Sequence, residues 1–371
     1  MEQQEKPSGS MNESITNIGN TNQEDRSPYE KQPQFMAYEP QGSGQYNYAH
    51  RSIMKVYPPE YGMEDGTTEI EPSAPTVRIL SKVAFSLFLM GVAVLASQQL
   101  INLFVGNLFP DIAEADWYVW ALTAVSMIGI GLPVFYLLTK KIPEPKREAV
   151  IKLRPIQFIV VFFICTAVMY ITNFFSVLLT FIISLLKGGN FLDLNPLADV
   201  LVDSNLVFRI LYAAIAAPIV EEIIFRKLLL NKLRRYGDLP AIILSAAAFG
   251  LFHMNVAQMF YATALGIIFA YVAIRTNTIR YNILLHILVN SMGVVIAPFA
   301  TQQNIAFSLI LVVWVFTCIA LGLVLLLLNI KKIQLYRLQK PLEKKSRYLL
   351  NTGTILYTIL CMIIVVAQIF A

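Results

Sequence analysis

Glu221 and Glu222 stand side by side in Ala216-Ala-Pro-Ile-Val-Glu-Glu-Ile-Ile-Phe-Arg226, a stretch otherwise apolar enough to lie inside a membrane. A carboxylate near the bilayer centre costs roughly 2.5–3.5 kcal/mol on insertion scales, so it persists there when it is paired or functional. The chain has three histidines, and two of them, His253 and His286, also fall in apolar runs. A carboxylate can take a proton from water, and an imidazole can share that water or donate to developing negative charge. The combination points to hydrolytic chemistry within the membrane.

Spacing divides the labour. Glu222 and Arg226 are four residues apart with the acid N-terminal to the base, the favoured order for a pair on one helical face. Pairing would let both groups stay charged in a low-dielectric site. Glu221 is rotated about 100° from its neighbour and can point elsewhere. Pro218 removes a backbone hydrogen bond one turn earlier and is expected to kink the helix toward a cavity. His253 ends the run Ser245-Ala-Ala-Ala-Phe-Gly-Leu-Phe-His, whose small residues allow close helix contact, and Phe249 lies one turn before it on the same face. His286 and Asn290 again share a face, and together could donate to an oxyanion. For each of these groups taken alone, a hydrogen bond that locks two helices together is the competing reading.

The elements that must hold these residues are helices. Of 371 residues, 56% are hydrophobic and 14% are charged, well below the charge content of soluble domains. The fold class expected is an all-α, polytopic transmembrane bundle of about eight to nine spans. Residues 1–75, rich in Gln, Asn, Ser, Pro, Gly and Tyr, read as a disordered cytoplasmic tail that serves as a solvated tether or a partner-binding segment. Residues 76–371 read as the membrane domain. Helices are placed near 79–105, 117–139, 156–186, 204–235, 239–255, 258–274, 281–299, 305–330 and 350–371, with 239–274 a tight hairpin that need not cross fully. Cys165, Cys318 and Cys361 have no metal-type spacing and read as reduced core residues.

Loop charge sets the expected topology. Lys140, Lys141, Lys146, Arg147, Lys152 and Arg154 fill the second loop, Arg226, Lys227, Lys232, Arg234 and Arg235 end the fourth helix, Arg275 and Arg280 bracket a later turn, and seven Lys and Arg residues crowd 331–347. The alternate loops carry Asp111, Glu114, Asp116, Asp193, Asp199 and Asp203, with Lys187 their one clear basic residue. The positive-inside rule then makes the N-terminus cytoplasmic and the C-terminus external. The charge of +5 lies in these loops, so it reports topology and not nucleic-acid binding. Counting at 1.5 Å per residue puts Glu221 and His253 roughly 20 Å, and His286 roughly 10 Å, from the basic ends of their helices. They could meet in one cavity, expected to open toward the cytoplasm.

The three patterns Glu-Glu-x-x-x-Arg (Glu221, Glu222, Arg226), Phe-x-x-x-His (Phe249, His253) and His-x-x-x-Asn (His286, Asn290) resemble the motifs of the CPBP intramembrane proteases. That family includes type II CAAX prenyl endopeptidases and proteins linked to bacteriocin self-immunity. The motifs cover about 220–295 and the core helices 155–330. Lys227 departs from the glycine that many relatives have after the arginine. The resemblance implies that Glu221 and His253 activate water, that His286 and Asn290 stabilise the oxyanion, and that Glu222, Arg226 and Phe249 support them. It implies an endopeptidase cutting a membrane-associated peptide near the cytoplasmic side, the best-known substrate being a prenylated CAAX tail, in a multi-pass protein of the plasma membrane if the cell is bacterial. Glu221, His253 and His286 would also make a zinc set, but a metal-free mechanism is slightly favoured because Asn290 suits an oxyanion better than zinc. The alternatives are a non-proteolytic scaffold or immunity protein that keeps the motifs, and an ion-coupled transporter built on the same Glu and His groups.

Overall fold

The computed structural model describes residues 74–144, 149–187, 205–296, 298, 305–335 and 348–370. The expected tail, 1–75, lies almost wholly outside the described residues, as do its tyrosines. The described chain is helical, with no strand among the described residues.

Nine principal helices follow in order. They are α1 (Ala74–Leu108), α2 (Tyr118–Thr139), α3 (Pro155–Lys187), α4 (residues 206–233), α5 (Asp238–Phe252), α6 (Val256–Thr276), α7 (Arg280–Ile296), α8 (Ile305–Asn329) and α9 (Thr352–Phe370). Each coincides with an apolar run read from sequence. Six of them, α1, α2, α3, α6, α8 and α9, are long and apolar enough to cross a membrane, which makes the chain an integral membrane protein. Helix α4 has the length but carries the charged residues of the site. Helix α5 is short: fifteen residues rise only about 22 Å. The expected short hairpin is therefore half right, since its second arm, α6, has 21 residues and can span.

Helices α5 and α6 form the tightest pair, and α6 also packs on α3, α3 on α8, and α1 on α2 and α9. The small-residue run of α5 explains the closeness. Gly266 of α6 sits against Ala246, and a Cβ on Gly250 would stand 1.8 Å from Thr263 Oγ1 and 2.7 Å from Met259 O. Two buried clusters result. One joins Leu87 and Met90 of α1, Phe225 and Leu230 of α4, Ile242 of α5 and Cys361 of α9. The other joins Cys165 and Met169 of α3, Phe269 of α6 and Leu285 of α7. All three cysteines are free and buried. The outward faces stay apolar, as on α8, where Leu309, Val313 and Phe316 are exposed, which suits a lipid surface.

The basic loops meet at one end of the bundle. Lys232 Nζ lies 2.6 Å from Glu144 Oε1, and Arg235 donates to Pro143 O at 2.6 Å. Arg234 donates to Asn277 Oδ1 at 2.7 Å, and Ile151 N to Thr276 O at 3.0 Å. Arg275 and Asp238 form a buried ion pair at 2.5 Å, and Arg275 also donates to Gln334 O. Four loops distant in sequence are thus stitched into one face.

Because any side chain at position 250 would wedge α5 from α6, Gly250→Ala should destabilise the protein by about 1–3 kcal/mol, the usual cost of overpacking. Thermal unfolding in detergent checks this; an unchanged midpoint would contradict the close approach.

Candidate active site

The glutamates sit on a single turn of α-helix, Ala217–Glu222, between two π-helical stretches, Arg209–Ala216 and Ile223–Leu229. Pro218 accounts for the first. It has no N–H, and its ring crowds the carbonyl one turn back, so the preceding backbone widens. Pro133 of α2 likewise follows a π-helical stretch, Val125–Gly131. The proline expected to kink α4 thus acts by widening it. Such π segments inside α-helices are frequent at functional sites.

Glu222 and Arg226 are fully buried, with Arg226 Nη1 2.9 Å from Glu222 Oε1. The guanidinium N–H groups are not aligned for hydrogen bonds among the described residues, so the contact is an ion pair held by charge. Aromatic rings cover the cation. Arg226 Cζ lies 4.1 Å from the ring centroid of Phe249 on α5 and 5.3 Å from that of Phe269 on α6. Desolvation strengthens such contacts to about 2 kcal/mol or more. Helix α7 supplies the fourth member: His286 Nδ1 is 2.9 Å from the same Glu222 Oε1. Its ring lies 5.1 Å from Phe269 and stands edge-on to Phe249 at 5.7 Å.

Glu221 is turned away from the ion pair, 14% exposed, with Oε2 3.6 Å from His286 Nε2. That oxygen has no hydrogen-bond partner among the described residues. His286 therefore lies between two carboxylates. With Glu222 and Arg226 cancelling, the cluster is neutral when the Glu221–His286 pair carries one proton.

His253 caps the C-terminal end of α5, and its Nδ1 is 2.9 Å from Phe249 O. Phe249 packs edge-on against the imidazole at 5.0 Å. The turn behind it is held by Asn255, which accepts from Gln258 N at 2.8 Å and donates to His253 O at 2.8 Å. Asn290 donates one amide hydrogen to Ala213 O on α4 at 3.2 Å. Glu221, His253, His286 and Asn290 all line one cavity of about 730 Å³.

No group of three or more His, Cys, Asp or Glu side chains among the described residues is arranged to hold an ion. The Nδ1 atoms of His253 and His286 face Phe249 O and Glu222 Oε1.

Several site residues escaped the sequence reading. Phe269, Asn255 and the wall residues Gln98, Trp120 and Asn173 come from helices or turns that carry no motif, and Tyr212 lies on α4 outside its motif. Asn255-x-x-Gln258 could have been found, since a capping residue followed three later by Gln marks a helix start. The others carry no local signal.

Residues 203–292, which contain all three motifs, match the family model described as Type II CAAX prenyl endopeptidase Rce1-like. A protein of Bacillus subtilis (strain 168) named "Putative membrane peptidase YdiL" is 31% identical over 108 residues. That alignment spans 28% of this chain and 44% of the relative, so it covers less than half the length of the curated protein it matches. No solved structure matches the chain. The family match thus falls on the segment that carries the motifs and builds the site.

Arg226→Met should leave Glu222 buried without its cation and destabilise the fold by about 3–5 kcal/mol, the range for breaking one side of a buried pair. Glu222→Gln combined with Arg226→Met should recover part of that loss. Thermal unfolding of the singles and the double measures the coupling, and strict additivity would contradict it.

Proposed function

We propose that this protein is an intramembrane endopeptidase that hydrolyses a peptide bond of a membrane-associated substrate with water activated by Glu221. The observation that carries the reading is the meeting of Glu221, His253, His286 and Asn290, from three helices, on one cavity wall. The family match over 203–292 supports it.

The Glu221 carboxylate, which lines the cavity, is the acceptor for a proton from water. His253, whose Nδ1 is held against Phe249 O, offers Nε2 to the same water. The water oxygen forms a bond to the carbonyl carbon, and the carbonyl oxygen becomes an oxyanion. His286 donates from Nε2 to that oxyanion, its ring held against Glu222 through Nδ1, and Asn290 donates its second amide hydrogen. The carbon–nitrogen bond then breaks, and the proton on Glu221 passes to the leaving amine. Glu222 and Arg226 keep α4 and α7 in register through the cycle.

The substrate class named by the matching family is a prenylated CAAX peptide, and peptide substrates, lipidated or not, are the partners this reading implies besides the bilayer. Glu221→Gln keeps the side chain's shape and removes its basicity. Cleavage of a prenylated CAAX peptide or an internally quenched apolar peptide by the purified full chain should fall at least about 10²–10⁴-fold, the usual worth of a general base. The variant should still extract as folded protein, since Glu221 is outside the ion pair. Cleavage at the unmodified rate would remove the mechanism.

A further inference from the structure

We propose that Asn255, which lies in no motif, is a positioning residue: it holds the end of α5 in the shape that gives His253 its Nδ1–H tautomer and leaves Nε2 free as an acceptor. This rests on the endopeptidase reading for the task of His253, while the tautomer itself is set by geometry alone.

In a continuing α-helix, Phe249 O would accept from the backbone N–H of His253, four residues on. Here it does not. His253 N reaches back only three residues, to Gly250 O at 3.2 Å, and Met254 N likewise to Leu251 O at 3.0 Å. The tightened last turn leaves Phe249 O without its usual backbone donor, and His253 Nδ1 takes that place at 2.9 Å. A carbonyl oxygen only accepts, so Nδ1 carries the proton and the neutral ring keeps a lone pair on Nε2. That is the tautomer a partner of the attacking water needs.

The turn that allows this is strained. Met254 follows His253 with φ 52°, the left-handed region that side chains other than glycine rarely enter. Asn255 then runs extended, with φ −143° and ψ 151°. Such a backbone persists where its surroundings over-determine it. Asn255 provides that: it is buried, and every hydrogen-bonding group of its side chain is engaged. Oδ1 accepts from Gln258 N at 2.8 Å, while Nδ2 donates to Gln258 Oε1 at 2.7 Å and to His253 O at 2.8 Å.

These bonds do different things. The one to Oδ1 caps α6, a task that serine or aspartate performs as well. The one to His253 O runs backward across Met254 and ties the residue bearing the imidazole to the start of α6. It needs an amide donor, which neither serine nor aspartate has. Without it, α5 is free to lengthen by one residue, His253 N returns to Phe249 O, and the imidazole loses the acceptor that fixes its proton. Capping alone would leave the second half of the asparagine side chain without a purpose.

The test uses the full chain in detergent, labelled with ¹⁵N at its histidines, because protonated and unprotonated ring nitrogens resonate far apart. The His253 signals are those missing from His253→Gln. In the wild type they should report Nδ1–H. Asn255→Ser and Asn255→Asp both keep an acceptor to cap α6 and drop the amide. In each, the His253 signals should become those of mixed tautomers, and kcat for an internally quenched peptide should fall about 10²-fold, the usual cost of a small misplacement, with KM unchanged. Wild-type His253 protonated on Nε2 overturns the proposal. So does an unmixed Nδ1–H signal in both variants, an unchanged kcat beside mixed signals, or a loss of fold in both, which would mean a purely structural role. The nitrogen signals need no activity: an inert wild type with the expected tautomer shift loses the peptidase reading alone, and an active one whose tautomer ignores position 255 loses the positioning alone.

Discussion

A guanidinium inside an apolar bundle is the constraint on which this structure turns. Arg226 is 1% exposed, and an unpaired charge there would cost several kcal/mol. Four helices each bring one answer: Glu222 from α4 itself, the face of Phe249 from α5, the face of Phe269 from α6, and His286 from α7 through their shared carboxylate. None of these helices can shift far without exposing the cation to hydrocarbon. The ion pair therefore fixes the mutual placement of α4 to α7, which is also the placement of the reactive groups.

Neighbouring glutamates acquire different tasks from that arrangement. Glu222 is consumed by Arg226 and His286. Glu221, one residue earlier, turns into the cavity with an uncommitted oxygen. The π-helical stretches on either side matter here, because they set how the short α-helical turn presents both acids. Pro218 supplies the physical cause of the first; the second has no proline, and the ion pair from Glu222 to Arg226 spans its start. The site thus unites rigidity where charge is buried with a widened, irregular backbone where the acids are displayed.

The bundle is also polarised along its length. One end gathers the basic loops into a face closed by buried ion pairs and packed aliphatic side chains, and the other holds a hollow walled by carboxamides and aromatics. Short α5 contributes to this asymmetry. It begins at the basic face beside Asp238 and ends after fifteen residues, so His253 stands at a helix end within the cavity and not on a continuous span. A longer helix would have buried that position in its own turn. The capping contacts of Asn255 make the early stop stable.

The amino-acid sequence alone determined the membrane-spanning helical class, the nine helical segments, the alternation of basic and acidic loops, and the pairing of Glu222 with Arg226. Each of these follows from local rules: hydropathy over about twenty residues, charge in short loops, and the four-residue period of a helix. That Glu221, His253, His286 and Asn290 line one cavity, that His286 and not His253 lies against both carboxylates, and that Phe269 covers the cation were decided only in three dimensions. Counting residues along separate helices gives depth but neither tilt nor azimuth. The buried side chains between the cavity and the basic face belong to helices α4, α5 and α6 together, so no single stretch of chain records how they pack.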